Sequence, residues 1–209
     1  MSSTFVVVPV KPFGVAKARL APVLGSRARS RLGRAVLAHT IQAASAAGGM
    51  VAVVTADPGV ARWAKAEGVE VVPEDPQLGT GLDGAARSGV AAAGRLGLPW
   101  AVVHGDLPLA EPADLREVFE ALRQGPVIVP SLERGTNVVA ASLDDFPFSY
   151  GPDSFGRHLA AAARLGGAPP RVLVRAPLGL DLDGPRELQA IHSHPQGAWI
   201  ESFLGSSDR

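Results

Sequence analysis

Phe5-Val6-Val7-Val8-Pro9-Val10 is a near-continuous apolar run that stops at Lys11-Pro12. A strand buried on both faces reads this way, because neither side of its pleat meets water. Ser26–Ala47 follows with helical spacing: Leu32, Val36, Leu37 and Ile41 share one face. Ser26 is the expected N-cap, and Gly48-Gly49 the stop. Further along, Met50–Thr55, Val69–Val72, Trp100–His104 and Val127–Pro130 read as strands. Helices are predicted between them at Pro58–Glu67, 80–96 and Pro112–Leu122. Alternating strands and helices imply right-handed βαβ units, and so a three-layer αβα fold around a mostly parallel sheet. Past residue 130 the rhythm changes. Asn137–Ala141 and Val172–Val174 read as strands, Pro152–Leu165 and Pro185–His192 as helices, and a tail follows. Pro152 suits a first helical position, and Gly166-Gly167 the stop. The 24 glycines and 18 prolines are scattered at turns, so the 209 residues are taken as one domain.

Composition excludes several classes. Lys+Arg and Asp+Glu are 20 each, so no basic excess points to nucleic acid. Cysteine is absent, which removes disulfides and thiolate chemistry. No apolar run approaches a membrane span, and Met1-Ser2-Ser3-Thr4 lacks the basic start of a signal peptide. The expectation is a cytoplasmic protein with no membrane or nucleic-acid partner. Only 3 of the 20 basic residues are lysines, and Lys11 and Lys17 fall in one loop. The arginine and alanine bias reflects a GC-rich coding composition. Against it, a lysine pair indicates a site that needs compact ammonium groups.

In an open parallel sheet, ligands bind beyond the carboxyl ends of the strands. After the first strand come Lys11, Gly14, Lys17 and Arg19, cations and a glycine that can wrap a polyphosphate; an exposed basic loop is the alternative. Leu78-Gly79-Thr80-Gly81-Leu82 can present backbone amides to an anion or a base edge, or be an ordinary turn. His104-Gly105-Asp106-Leu107-Pro108 ends a strand on an aspartate, the pattern of a Mg²⁺ ligand. In Asp181-Leu182-Asp183, extended chain turns both carboxylates to one side, where a cation would relieve their repulsion. Asp183 could also cap the helix entered at Pro185. Gly151-Pro152-Asp153-Ser154 and Gly135-Thr136-Asn137 offer amides and hydroxyls to a carboxylate or phosphate, or serve as caps and turns. His104 and His158 read as orienting or structural groups, His192 and His194 as surface residues. No nucleophile or general base stands out. Transfer of a nucleotidyl group to an acceptor that is already nucleophilic fits such an inventory.

Val8-Pro9-Val10-Lys11-Pro12, Ala16-Lys17-Ala18-Arg19-Leu20, the Leu78–Leu82 glycine segment, His104–Pro108 and Gly151–Phe155 together resemble the 2-phospho-L-lactate guanylyltransferase family. Its members include the phosphoenolpyruvate guanylyltransferases of coenzyme F420 biosynthesis. The likeness runs from about Phe5 to about Ile191. It implies a nucleotidyltransferase fold of the glycosyltransferase-A type. It also implies Mg²⁺-dependent transfer of GMP from GTP to a phosphorylated three-carbon acid, with pyrophosphate released. By that resemblance Asp106, Asp181 and Asp183 are the metal carboxylates, and Lys17 and Arg19 the triphosphate contacts, acting in catalysis with Asp106. Thr136, Gly151 and Ser154 anchor the acid. Thr55, Glu74, Gly79 and Leu82 are placed at the guanine; Asp83 is left without a role. GC-rich composition favours phosphoenolpyruvate over 2-phospho-L-lactate by association only. Another nucleotidyltransferase, for a sugar phosphate or molybdopterin, and a non-catalytic nucleotide-binding domain are the rival readings. Whether the chain works alone or as a homodimer is left open.

Overall fold

A computed structural model describes residues 3–13, 17–142, 146–165 and 167–204. Its strands are β1 (Phe5–Pro9), β2 (Met50–Thr55), β3 (Glu70–Pro73), β4 (Trp100–Val103), β5 (Val127–Pro130), β6 (Thr136–Ala141) and β7 (Arg171–Val172). Its helices are α1 (Ser26–Ala46), α2 (Pro58–Ala66), α3 (Gly81–Arg95), α4 (Pro112–Ala121), α5 (Ser154–Arg164), α6 (Ala176–Gly179), α7 (Pro185–His192) and α8 (Glu201–Leu204). The strands form one sheet in the order β3-β2-β1-β4-β6-β5-β7. All pairs are parallel except those of β6, which runs against both β4 and β5. The sheet is therefore mixed and mostly parallel, as expected.

Alternation along each strand builds the two faces. Val6 and Val8 of β1 pack with α1, α2 and α4, while Phe5 and Val7 pack with α3 and α5. Trp100, 1% exposed, closes the second core against Phe146 and Phe148 at ring distances of 5.8 and 5.5 Å. A third cluster joins the outer side of α1 (Leu32, Val36) to Leu182, Leu188, Ile191 and Ile200. That cluster holds the C-terminal segment, the expected tail, over α1. There, Pro195–Ile200 is a 3₁₀ turn, and Trp199 donates its indole N–H to the Pro108 carbonyl at 3.2 Å. Among the described residues no helix is long and apolar enough to cross a membrane.

Several boundaries differ from expectation. Gly25 rather than Ser26 is the N-cap of α1, and no side chain caps it. Pro152 lies in a turn before α5, because Asp153 takes a left-handed conformation (φ 55°) and the helix begins only at Ser154. Asp183 is not a cap, since Gly184 holds that position for α7 without a side-chain bond. The last strand is shorter than expected and shifted towards Arg171, and α6 was not foreseen. Gly166, half of the expected stop after α5, lies outside the described residues. His192 is exposed as expected, but His194 is half-buried and its Nδ1 accepts the Gln196 amide at 3.3 Å.

α3 approaches β1 closely because Gly89 has no side chain: an added Cβ would stand 2.2 Å from Val7 Cγ1. Val7 is fully buried and cannot swing away. Gly89→Ala is expected to lower stability by about 1–3 kcal/mol through this overlap, read as a fall in the urea midpoint with an unchanged m-value.

Candidate active site

A cavity of about 740 Å³ opens beyond the carboxyl ends of β1, β2 and β4, where the topology places ligands. Lys11, Phe13, Lys17, Thr55, Glu74, Leu82, His104, Asp106, Asp181 and Asp183 are on its walls. Volumes of this size hold nucleotide-sized ligands.

The three aspartates converge from two distant segments. Asp106 follows β4 by three residues, and the His104 amide bonds to the Asn137 carbonyl at 3.0 Å, extending the pairing with β6. The Leu182 amide then donates to the Asp106 carbonyl at 2.9 Å. This bond lays the extended Asp181-Leu182-Asp183 segment against the end of β4. Leu182 turns inward, fully buried, and both flanking carboxylates turn to the cavity, as the alternation of extended chain requires. One carboxylate oxygen from each of Asp106, Asp181 and Asp183 lies within 4.8 Å of the others. Such a set of hard oxygen donors fits a divalent cation of the Mg²⁺ type.

The electrostatics show what this convergence costs. Burial raises the pKa of Asp181, and the neighbouring charge of Asp106 raises it further, against a 3.3 Å hydrogen bond from Asn137 Nδ2. For Asp106, burial also works upward. It is outweighed by Lys17, whose Nζ lies 2.8 Å from Oδ2, and by His104, so that carboxyl is held below the ordinary range. Lys17 sits in the left-handed region (φ 59°), a conformation costing about 1 kcal/mol for a residue with a Cβ. That strain is offset by a pairing in which its side chain is 9% exposed. Arg19 reaches Asp183 at 3.2 Å, but both side chains are largely in solvent and the pair contributes little. Gly14 and Ala16 of the same loop lie outside the described residues.

The remaining predicted residues divide. Thr55, Glu74 and Leu82 border the cavity. The Thr55 hydroxyl is spent on the Val10 carbonyl (2.8 Å) and the Asp57 amide (3.1 Å), and Glu74 Oε1 accepts the Ala56 amide at 3.1 Å. Gly79 is off the cavity wall. Its φ of 111°, with 67° at Gly81, explains why glycines stand at this loop. Thr136 and Ser154 are buried, 1% exposed each, their hydroxyl oxygens 3.2 Å apart. Gly151 is exposed in the turn before α5. None of these three borders the cavity among the described residues.

Three contributors escaped the sequence reading. Arg157 fans over the loop before α5, donating to the carbonyls of Ser149, Tyr150 and Pro152 and to Ser149 Oγ. Asp83 accepts the Tyr150 amide at 2.8 Å, tying α3 to the same loop. The Tyr150 ring lies between His104 (5.3 Å) and His158 (4.7 Å). Among the described residues, His104 Nε2 and the Tyr150 hydroxyl are buried without a hydrogen-bond partner. Burial, with the charge of Asp83, pushes the Tyr150 phenol up, so it stays protonated. These contacts are between residues far apart in the chain, and nothing local in the sequence marks them.

The mixed sheet with its cavity at the strand ends has the nucleotidyltransferase fold. Two solved structures share the fold. A Desulfovibrio desulfuricans G20 protein named for nucleotide-diphospho-sugar transfer superposes with a TM-score of 0.76 at 15% identity, covering 98% of this chain and 97% of its own. A 4-diphosphocytidyl-2C-methyl-D-erythritol synthase superposes with a TM-score of 0.59 at 16% identity, covering 99% and 100%. Residues 4–207 match the family described as Guanylyl transferase CofC like. The phosphoenolpyruvate guanylyltransferase of Chloroflexus aggregans is 36% identical over 194 residues, 88% of this chain and 94% of that protein. Its namesake from Rubrobacter xylanophilus is 38% identical over 202 residues, 91% and 94%. The chain belongs to the CofC-like guanylyltransferase family.

Asp181→Asn separates the structural cost of the cluster from its use. An acid whose pKa is raised on folding loses stability as pH rises through that pKa, so at neutral pH ionised Asp181 works against the fold. The substitution is expected to raise the melting temperature in EDTA by roughly 2–4 °C per kcal/mol relieved, and to abolish any rise that Mg²⁺ brings to wild type. Paired thermal scans with and without the ion check both halves.

Proposed function

We propose that the protein transfers GMP from GTP to phosphoenolpyruvate, releasing pyrophosphate, as a single-domain cytoplasmic enzyme of coenzyme F420 biosynthesis. The convergence of Asp106, Asp181 and Asp183 at the mouth of a nucleotide-sized cavity, with Lys17 drawn onto Asp106, carries this reading. The family and the names of its relatives support guanylyl transfer and the acid.

In the reaction, an oxygen of the acid's phosphate attacks the α-phosphorus of GTP. A new P–O–P linkage forms, the α–β bond breaks, and pyrophosphate leaves with the electron pair. A phosphate monoester has a second pKa of about 6, so it is largely dianionic at neutral pH and needs no general base. That agrees with a cavity whose described side chains offer no base aligned with a nucleophile. Asp106, Asp181 and Asp183 would hold Mg²⁺, which supplies charge neutralisation for the polyphosphate. Lys17 and Arg19 would bind the triphosphate, Arg19 giving up a weak exposed pair with Asp183 to do so. Thr55, Glu74, Gly79 and Leu82 are assigned to the guanine side, Gly79 by shaping the loop that carries Leu82. Thr136, Gly151 and Ser154 are assigned to the acid by the family resemblance, since they stand off the cavity wall.

Pyrophosphate release from GTP is expected only when phosphoenolpyruvate and Mg²⁺ are both present; 2-phospho-L-lactate tests the second acid. Absence of release with either acid would falsify the assignment. Asp106→Ala is expected to abolish turnover while the chain stays folded, since a ligand is lost and Lys17 is left without its partner. Rates near wild type would remove Asp106 from the mechanism. Ser154→Ala should weaken the acid by about 1.5–3 kcal/mol, the worth of one hydrogen bond to a charged group, and leave the KM for GTP in place. The reverse pattern would exchange the two pockets.

A further inference from the structure

Beneath the loop that precedes α5 runs a directed chain of hydrogen bonds. The Ser149 amide donates to His158 Nε2 at 2.9 Å, His158 Nδ1 lies 3.0 Å from Thr136 Oγ1, and Thr136 Oγ1 lies 3.2 Å from Ser154 Oγ. His158 is fully buried, and Thr136 and Ser154 nearly so. One end of the chain has a forced polarity. A backbone N–H can only donate, so Nε2 must present its lone pair. Burial lowers the His158 pKa to about 4, so the ring is neutral near pH 7 and its single proton is on Nδ1. Nδ1 therefore donates to Thr136.

The consequence is a count of hydrogens. The Nδ1 proton and the two hydroxyl protons share two contacts, so one hydroxyl hydrogen is left for a partner outside the chain. Ser154 Oγ donates to Thr136 Oγ1, which has two lone pairs and accepts from the ring as well, so the Thr136 O–H is the one left over. Were Nδ1 an acceptor, both hydroxyl hydrogens could be drawn inward, and only lone pairs would face an arriving anion. β6 starts at Thr136 beside the end of β4, so the pair lies at the ligand-binding edge of the sheet.

We propose that His158 is a positioning residue that turns the Thr136–Ser154 hydroxyl pair into a hydrogen-bond donor for the anionic group of the acceptor acid. The inference rests on Thr136 and Ser154 being the acid's anchors, and it adds the group that gives those anchors their sign.

Asparagine at position 158 can place an N–H where Nδ1 stands, whereas glutamine reaches the Nε2 position and leaves Thr136 without a donor. With pyrophosphate release as the assay, His158→Gln is expected to raise the KM for phosphoenolpyruvate roughly tenfold. The KM for GTP and the kcat at saturating acid should stay near wild type. His158→Asn should return the acid KM to within about twofold, although it leaves the Ser149 amide unpaired and lowers the melting temperature. In a Thr136→Val background, where the relay is already cut, His158→Gln should add nothing further. An unchanged acid KM in His158→Gln overturns the proposal. So does an equal rise in the Asn and Gln variants, or a full additional effect in the Thr136→Val background. A wild-type protein inactive with both phosphoenolpyruvate and 2-phospho-L-lactate overturns the proposed function, and this inference with it.

Discussion

A single backbone hydrogen bond, from the Leu182 amide to the Asp106 carbonyl, brings the acidic cluster into being. It joins residues 106 and 182 and lays the extended 181–183 segment beside the end of β4. Leu182 then supplies the holding force, because it is buried against α1 and the C-terminal helices. Asp181 and Asp183 cannot retreat from Asp106 without pulling Leu182 out of that core. Burying such a side chain is worth roughly 1.5–3 kcal/mol, enough to hold like charges that would otherwise separate. The third core cluster is in this sense the foundation of the site, although none of its buried members lines the cavity.

The site is built under strain, and the strain is distributed. Asp181 is held where its charge is unwelcome, Lys17 adopts a left-handed backbone, and two polar atoms of His104 and Tyr150 are buried without partners. Each departs from the rule that buried polar groups are paired and backbones relaxed. Lys17, Asp181 and His104 line the cavity and Tyr150 packs on His104, although Arg134 and Asp153 are left-handed away from it and β5 is irregular at Pro130. Strained and unpartnered groups beside a cavity are what ligand-binding surfaces show, since the missing partners arrive with the ligand.

Around the loop before α5, order comes from hydrogen bonding rather than charge. Arg157 collects the carbonyls of the 149–152 loop, Asp83 holds the Tyr150 amide, and His158 reaches the Ser149 amide from beneath. The loop is therefore gripped from α3 and α5 together. The Thr136 and Ser154 hydroxyls inherit their orientation from that grip.

Periodicity alone was enough for β1 to β6 and the long helices, because each buries a face whose spacing is printed in the chain; β7, exposed at both residues, was found shifted. The i, i+2 relation of Asp181 and Asp183 was legible for the same reason: it is a local property of extended backbone. Asp106 was legible as a carboxylate at a strand end. What the chain could not show was that β6 runs antiparallel, that Asp183 is no cap, that Pro152 precedes rather than opens α5, or that the tail packs on α1. Nor could it reveal Arg157, Asp83 and His158 as partners of one loop. Those facts depend on contacts between residues distant in sequence, and the free energy of such contacts is set by shape and burial once the chain has closed on itself. Residue type and spacing determined which groups could do chemistry here; only the folded arrangement decided which of them meet.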